Sequence, residues 1–356
     1  MSLSSNPLFD SLALGSTVLR NRIVMAPMTR SRADDAGVPG ALAPLYYGQR
    51  ASAGLIITEG TFPSPMGKGY VRTPGIHSEA QVEAWHRVTD TVHAAGGTIF
   101  MQIMHAGRIS DPSFLPDGAT PVAPSAVRPE GQSYTDAGMQ PHVTPRALDL
   151  AEIPGLIEEY QSATRNALRA GFDGVELHAA SGYLPEQFLS SKTNRRDDAY
   201  GGDIGRRARF VLELLEAMAG VAGAGRVGIK LSPEMNFNDI ADDTPRETYT
   251  HLVEQLAGLG LAYLHVALFG TPVDYHGLLR PLFPGPYLVG GGLTQATATA
   301  LLNEGKADAA VFGSLFIANP DLPERFRSGA ALAEPDRSTF YTPGGQGYTD
   351  YPTLAA

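Results

Sequence analysis

The segment Gly174-Val175-Glu176-Leu177-His178 is a short, largely apolar stretch that ends on a polar residue, and seven other segments share this pattern. Each segment predicts a β-strand, and helical patterns alternate with them. The predicted strands are Arg22–Pro27, Leu55–Gly60, Thr98–His105, Gly174–His178, Val227–Pro233, Tyr263–Ala267, Tyr287–Gly292 and Ala309–Ser314. Such alternation indicates a closed (β/α)8 TIM barrel, an α/β fold whose active site lies at the carboxyl ends of the strands.

The length of the chain predicts one domain, spanning residues 1–356, with long loops. A barrel of this kind needs about 250 residues, so 356 residues leave room for insertions. We expect an N-terminal hairpin over Leu8–Arg22 that plugs the bottom of the barrel. Long insertions follow the third and fourth strands, over Ala106–Ala151 and Ala179–Gly205, and loops of this length are often functional. The aromatic, glycine-rich segment Thr339–Pro352 is expected to fold back onto the barrel.

Composition narrows the class of protein. The formal charge of −10 disfavours a nucleic-acid-binding or anionic membrane-binding surface. The absence of cysteine excludes disulfides, thiolate metal sites and a cysteine nucleophile, and the histidines show no ligand spacing, so no metal site is predicted. The first ten residues lack the pattern of a signal peptide, and no apolar run could span a membrane. We therefore expect a cytoplasmic protein, either a monomer or a homodimer.

Glycines end the last two predicted strands. Gly290-Gly291-Gly292 ends the seventh strand and Phe312-Gly313-Ser314 the eighth. In many barrels the loops at these two positions bind a phosphate through backbone N–H groups, which glycine allows to approach closely. The alternative is that these glycines only make tight turns.

Polar residues near the ends of the fourth and fifth strands suggest chemistry. His178 ends the fourth strand, and Ser181 and Tyr183 follow it, so that the three side chains could bind an oxygen and supply a proton. A hydrogen-bonded loop explains them equally well. Lys230 lies inside an apolar strand, where an ammonium group needs an anionic partner, either a carboxylate or a bound cofactor.

Taken together, several ordered segments resemble the old yellow enzyme family, FMN-dependent ene-reductases on a (β/α)8 barrel. The resemblance runs from Pro7 to Pro352. The segments that carry it are Asn21–Arg30 (NRIVMAPMTR), Thr73–Ser78 (TPGIHS), Gln102–Arg108 (QIMHAGR), Gly174–His178 (GVELH), Gly182–Leu184 (GYL), Gln187–Leu189 (QFL), Phe316–Leu322 (FIANPDL) and Gly347–Pro352 (GYTDYP).

The resemblance implies a role for each matching residue. His178 and Ser181 would bind the oxygen of an activated alkene, Tyr183 would donate the proton, and Lys230 would lie near N1 and O2 of the flavin. Thr29, Met104 and Tyr341 would line the substrate pocket. The residues implied to contact FMN are Pro27, Met28, Thr29, Gly60, Gln102, His178, Lys230, Gly291, Gly292, Gly313 and Ser314.

The activity implied is the reduction of the C=C bond of enones, enals or maleimides with NADPH or NADH as reductant. Four residues depart from the family pattern: Ser181 replaces Asn or His, Ser314 replaces Arg, Met104 replaces Trp, and Lys230 replaces Arg. The altered His178/Ser181 pair leaves open an FMN-dependent isomerase or dehydrogenase of a biosynthetic pathway. A flavin-binding protein without catalysis is a third alternative, and Tyr183 argues against it because binding alone needs no acid.

Overall fold

A closed barrel of parallel strands forms the centre of the molecule, and the computed structural model describes residues 6–354. The strands in chain order are β1 (Leu12–Leu14), β2 (Thr17–Leu19), β3 (Ile23–Met25), β4 (Leu55–Ile57), β5 (Ile99–Ile103), β6 (Val122–Ala123), β7 (Gln132–Thr135), β8 (Gly138–Pro141), β9 (Arg146–Ala147), β10 (Gly174–His178), β11 (Val227–Leu231), β12 (Tyr263–Ala267), β13 (Tyr287–Gly290) and β14 (Ala309–Phe312). The barrel order is β3-β4-β5-β10-β11-β12-β13-β14, and β14 pairs with β3 to close the ring. The predicted TIM barrel is confirmed.

Six of the barrel strands are shorter than the sequence predicts. The ladder of β3 ends at Met25 and that of β4 at Ile57, so Pro27, Thr29 and Gly60 lie in the loops beyond them. Apolar composition continues past the last ladder hydrogen bond because these loops are themselves buried or half-buried. The consequence is that the predicted site residues start at the rim of the barrel.

Helices surround the barrel. They are α1 (Ala43–Gly48), α2 (Glu79–Ala94), α3 (Ile153–Arg169), α4 (Leu184–Leu189), α5 (Ile204–Ala222), α6 (Pro245–Leu256), α7 (Tyr275–Leu279), α8 (Gln295–Asn303), α9 (Ser314–Ala318) and α10 (Leu322–Ser328). Helix α2 shows why they form: Ser78 and Gln81 make a reciprocal capping box, and the apolar stripe that includes Trp85 and Val88 is buried. Among the described residues, no helix is both long and apolar enough to cross a membrane.

The N-terminal hairpin pairs β1 with β2 and plugs the barrel as predicted. Leu14 and Leu19 are fully buried in one cluster with Val24, Leu55 and other barrel residues. The turn packs so closely that a Cβ atom on Gly15 would lie 2.0 Å from the carbonyl oxygen of Gly225, and Gly15 also has a positive φ of 54°. Only glycine fits this turn.

Arginine side chains hold the long segments outside the barrel. In the insertion after β5, β7 and β8 form a hairpin and β6 pairs with β9. The buried guanidinium of Arg108 donates to the carbonyl oxygens of Asn238 and Asp239, which ties this insertion to the loop after β11. The second insertion, after β10, contains α4. Both insertions therefore lie on the carboxyl side of the barrel.

Residues 337–352, here named the C-terminal strap, fold back onto the barrel as predicted. Tyr348 is buried and stacks on Tyr46, with ring centroids 4.1 Å apart. The fully buried Arg30, which follows β3, donates to the carbonyl oxygens of Phe340 and Gly347. Arg32 donates to the carbonyl oxygens of residues 339, 340, 344 and 346. These bonds fix the strap over the loop in which the predicted flavin-contacting residues lie.

Candidate active site

Polar side chains from four neighbouring strands meet inside the carboxyl end of the barrel. The register places His178 opposite Lys230 and Lys230 opposite His265. One tier deeper, Glu176 lies opposite Gln102. Because register partners in parallel strands point to the same side of a sheet, these five residues form two adjacent tiers that line one space.

The deeper tier contains a buried hydrogen-bonded carboxylate. The Gln102 side-chain amide donates to Glu176 Oε1 at 2.7 Å, and His265 Nδ1 lies 3.0 Å from Glu176 Oε2. Gln102, Glu176 and His265 are each at most 2% exposed. Sequence reasoning selected Gln102 but missed Glu176 and His265. The signal that could have found Glu176 was the one used for Lys230, a charged residue inside an apolar strand.

Lys230 is placed as predicted, at the rim of the barrel, but its anionic partner is not a contacting carboxylate. Among residues 6–354, no carboxylate oxygen lies within 4.0 Å of the Lys230 ammonium. Burial lowers the pKa of Lys230, while the charges of Glu176 and Glu186 act in the opposite direction. A half-buried cation without a contacting carboxylate leaves this position open to a negatively charged ligand group.

His178 is a neutral imidazole with an unused hydrogen-bonding atom. Burial, and then the charges of Lys230 and His265, hold the pKa of His178 well below its ordinary value of 6.5. Its Nδ1 atom is buried and has no partner among the described residues. Because native proteins rarely leave buried polar atoms unpaired, this nitrogen indicates a bound group.

Tyr183 is a buried phenol that is bonded to a second phenol. Its hydroxyl lies 2.9 Å from that of Tyr70, and its ring packs edge-on to His178 with a centroid distance of 4.9 Å. Burial and then Tyr70 raise the pKa of Tyr183 well above 10, while a hydrogen bond from the Asn238 side chain acts to lower it. Tyr183 therefore keeps its proton throughout the physiological pH range. Sequence reasoning did not select Tyr70 or Asn238, which lie in separate loops.

Ser181 lies beside this group but its hydroxyl points to a sulfur. The Ser181 Oγ atom is 3.6 Å from Met235 Sδ, and the backbone of Ser181 is fixed by Ser232 and Asn238. Its φ of +59° is unusual for a residue other than glycine or asparagine. The structure thus places Ser181 near His178 and Tyr183 while it engages the hydroxyl in a weak contact.

The loops after β3, β4 and β5 pack against one another at the rim. Pro27, Met28 and Thr29 are half-buried. A Cβ atom on Gly60 would lie 2.6 Å from Sδ and 3.2 Å from Cβ of Met104, so a larger residue there would force the Met104 side chain to shift. Gly60 and Met104 thus pack directly against each other at the rim, and the role of Gly60 in the close approach of a cofactor stays a prediction.

The glycines after β13 adopt backbone conformations that few other residues can, and a glycine also follows β14. Gly291 and Gly292 have φ values of +118° and +67°. A Cβ atom on Gly291 would lie 1.8 Å from the carbonyl oxygen of Leu268. Gly313 is half-buried and Ser314 is exposed at the start of α9. Together with Lys230 and the unpaired His178 nitrogen, these glycine-rich strand ends are compatible with a ligand that carries a phosphate.

Tyr341 belongs to the C-terminal strap and is 58% exposed. Arg72 donates to its backbone oxygen, and it is near enough to Tyr183 and Tyr70 to raise the pKa of both. The strap thus brings Tyr341 to the side of the site that holds the two phenols. Among the described residues, no group of three or more histidine, aspartate or glutamate side chains could hold a metal ion.

Comparison with known proteins identifies the family. The sequence profile of the NADH:flavin oxidoreductase / NADH oxidase family matches residues 7–333. The chain belongs to this family, that of the old yellow enzymes. It is therefore an enzyme, a flavin-dependent ene-reductase that uses a nicotinamide reductant, as the sequence predicted.

Individual members of the old yellow enzyme family agree over nearly the whole chain. 12-Oxophytodienoate reductase 1 of Oryza sativa subsp. japonica is 42% identical over 98% of this chain and 93% of its own length. The structure of morphinone reductase is 49% identical, with a TM-score of 0.95 over 99% of this chain and 98% of that one. The old yellow enzyme homologue of Zymomonas mobilis is 41% identical, with a TM-score of 0.95 over 98% and 99% of the two chains. Morphinone reductase has also been solved in complex with tetrahydroNAD.

Proposed function

We propose that this protein binds FMN and uses NADPH or NADH to reduce the C=C bond of alkenes activated by a carbonyl group. The observation that carries the proposal is the contact of Tyr183 with His178 beside the Lys230 ammonium. A proton donor next to an oxygen-binding imidazole is what the addition of hydride and proton across an enone requires. Bound FMN supplies the hydride chemistry.

The residues of the chain do the remaining work. His178, neutral because its pKa is depressed, donates an N–H to the substrate oxygen and draws electrons away from the alkene. Tyr183 holds a proton for the α-carbon, and Tyr70 can donate to the phenolate oxygen left behind. Lys230 would hold the bound flavin by its positive charge and would favour the negative charge that develops on the ring when it is reduced.

The test is to identify the bound flavin and then assay alkene reduction. Heat-released flavin should be FMN, and the holoenzyme should oxidise NADPH or NADH when cyclohexenone or a maleimide is present. Tyr183→Phe should slow alkene reduction about 10²-fold and leave flavin reduction by the nicotinamide nearly unchanged. Release of FAD, or equal loss in both half-reactions, would refute the corresponding part of the proposal.

A second candidate is an FMN-dependent isomerase or dehydrogenase, and the orientation of Ser181 favours it. Because its hydroxyl is directed at Met235, Ser181 would donate a weaker hydrogen bond to a substrate oxygen at His178 than an asparagine amide would. An isomerase would rearrange an enone anaerobically without net NADPH consumption. Product analysis of such a reaction separates this activity from ene-reduction.

A further inference from the structure

We propose that Glu176 is a positioning residue of the flavin site: it fixes the orientation of the Gln102 amide and offsets part of the charge of Lys230, and so sets the reduction potential of the bound flavin. The inference rests on the proposed FMN function. It starts from a carboxylate that is fully buried one tier below Lys230 and has no part in the steps described above.

Glu176 can determine which way the Gln102 amide faces. A glutamine amide can present either its oxygen or its nitrogen to a ligand, and its neighbours decide which. The Gln102 nitrogen donates to Glu176 Oε1 at 2.7 Å. An ionised carboxylate can only accept hydrogen bonds, so it selects the nitrogen of the amide and not its oxygen. The Gln102 oxygen is therefore free to accept the N3–H of a flavin pyrimidine ring. With Glu176 absent, the amide can rotate and present a second donor to that N–H.

Neighbouring side chains hold the Glu176 carboxylate in a fixed position. His265 Nδ1 lies 3.0 Å from the second oxygen of Glu176, and the Tyr263 ring packs beside it in the same tier. Burial and then Glu176 raise the pKa of Tyr263 well above 10. Gly228 is needed for this packing, since a Cβ atom there would lie 2.3 Å from the Tyr263 ring. Residues on strands β5, β11 and β12 thus all help to position the Glu176 carboxylate.

The charges of Lys230 and Glu176 have opposite effects on the reduction potential of a bound flavin. Lys230 favours the electron-rich reduced flavin, and a fixed negative charge one tier deeper opposes this effect. The two residues therefore act on the potential with opposite signs. Glu176 is fully buried and Lys230 is half-buried, so solvent screens their opposing effects on a bound flavin less than it screens surface charges.

The test compares reduction potentials of holoenzyme variants by spectroelectrochemistry. Glu176→Gln keeps the shape and removes the charge. We expect its affinity ratio for reduced over oxidised FMN to rise about tenfold, a shift of about 30 mV for a two-electron couple. Lys230→Met should shift the potential in the opposite direction. The matched control is Glu159→Gln, a half-buried carboxyl bonded to Ser64 away from the flavin residues, which should leave the potential unchanged.

The orientation of the Gln102 amide can be measured separately, by comparing the affinities of two flavins. The wild-type apoprotein should bind FMN more tightly than 3-methyl-FMN, which lacks the N3–H donor. Glu176→Asp keeps the charge but shortens the reach to Gln102, so it should lose most of this preference while its potential stays near that of the wild type. The Asp variant also keeps the test open if Glu176→Gln does not fold.

The outcomes are distinguishable. A wild-type protein that takes up no FMN refutes the proposed function. An FMN-loaded Glu176→Gln protein with an unchanged potential overturns the electrostatic role, and a Glu176→Asp protein with undiminished preference for FMN overturns the orienting role, while both leave the proposed function intact.

Discussion

Ser181 has an unusual backbone conformation for its residue type. Asparagine occurs several-fold more often than most residues at positive φ, whereas serine has no such preference. Ser181 adopts a φ of +59° and places its hydroxyl against Met235. The position is therefore suited to asparagine both in its backbone conformation and in its reach toward a substrate oxygen.

We predict that Ser181→Asn will not lower the thermal unfolding temperature and will raise the affinity for cyclohexenone about two- to tenfold, the value of one added hydrogen bond. Binding titrations and thermal melts measure both. Ser181→Ala is the control, and it should leave cyclohexenone affinity unchanged because the wild-type hydroxyl is turned to a sulfur. Weaker binding by the Asn variant would mean that serine is matched to a particular substrate.

Tyr70 gives a second prediction at this scale. Tyr70→Phe removes the hydroxyl that lies 2.9 Å from Tyr183 and keeps the ring. We expect alkene reduction to slow about tenfold, the lower range for a hydrogen bond to a charged group, and therefore less than in Tyr183→Phe. Stopped-flow absorbance separates the two half-reactions. A loss in flavin reduction by NADPH instead would place Tyr70 at the nicotinamide and not at the proton donor.

These residues also mark the limit of sequence reasoning. Lys230 stood out because a charged residue in an apolar strand needs an explanation, and Glu176 in its own apolar strand needed one equally. Tyr70 and Asn238 gave no such signal, since a polar residue in a loop is ordinary. Their position beside Tyr183 depends on three loops that meet only in the folded barrel.

At the scale of elements, the barrel strands and the hairpin plug were predictable, and the packing of the loops was not. Short apolar segments with polar or glycine ends have few other interpretations, so the order of strands followed from the sequence. The close packing of Gly60 against Met104 did not, because Met104 lies in the loop after another strand, β5. Contacts between loops are set by side-chain volume across the barrel mouth, which no local pattern records.

The C-terminal strap allows a prediction about one element. Arg32 donates to four backbone oxygens of the strap and stacks on Tyr348, with the guanidinium carbon 4.5 Å from the ring centroid. Arg32→Met should loosen residues 339–347, increase their hydrogen exchange at least about tenfold, and raise KM for cyclohexenone more than it lowers kcat. Arg327→Met is the control, since that arginine stacks on Phe9 instead. Unchanged exchange in the strap would mean that Arg30 alone holds it.

At the scale of the whole molecule, buried carboxyls make stability depend on pH. Burial raises the pKa of Glu186 from 4.5 to about 7, although Tyr249 and the Gly182 N–H both donate to it. The folded state therefore holds a proton that the unfolded chain releases above pH 4.5. The contribution of Glu186 to stability is complete below pH 4.5 and falls as the pH rises toward 7.

Glu186→Gln should therefore gain stability relative to the wild type as the pH increases from 5 to 7, by up to about 3 kcal/mol. Urea unfolding at several pH values measures the difference. Glu79→Gln is the control. Arg169 lowers the pKa of this exposed carboxyl, so the difference in unfolding free energy between Glu79→Gln and the wild type should change only below pH 4.5 and stay constant between pH 5 and 7. A constant difference between Glu186→Gln and the wild type over that range would show that Glu186 is ionised in the folded protein.

The pairing of β3 with β14, together with the grip of Arg30 and Arg32 on the strap, has a consequence for biosynthesis. During translation the hairpin plug and β3 emerge early, but the ring stays open until residues 309–312 leave the ribosome, and Tyr341 arrives later still. The nascent chain must keep the edge of β3 and two arginines unpartnered through most of its synthesis, a state prone to wrong association. A chain stalled with residue 330 just outside the ribosome should close its barrel while Tyr341 is still inside, which protease mapping of stalled complexes can detect. We therefore expect alkene-reducing activity to appear only after the C-terminal strap has left the ribosome.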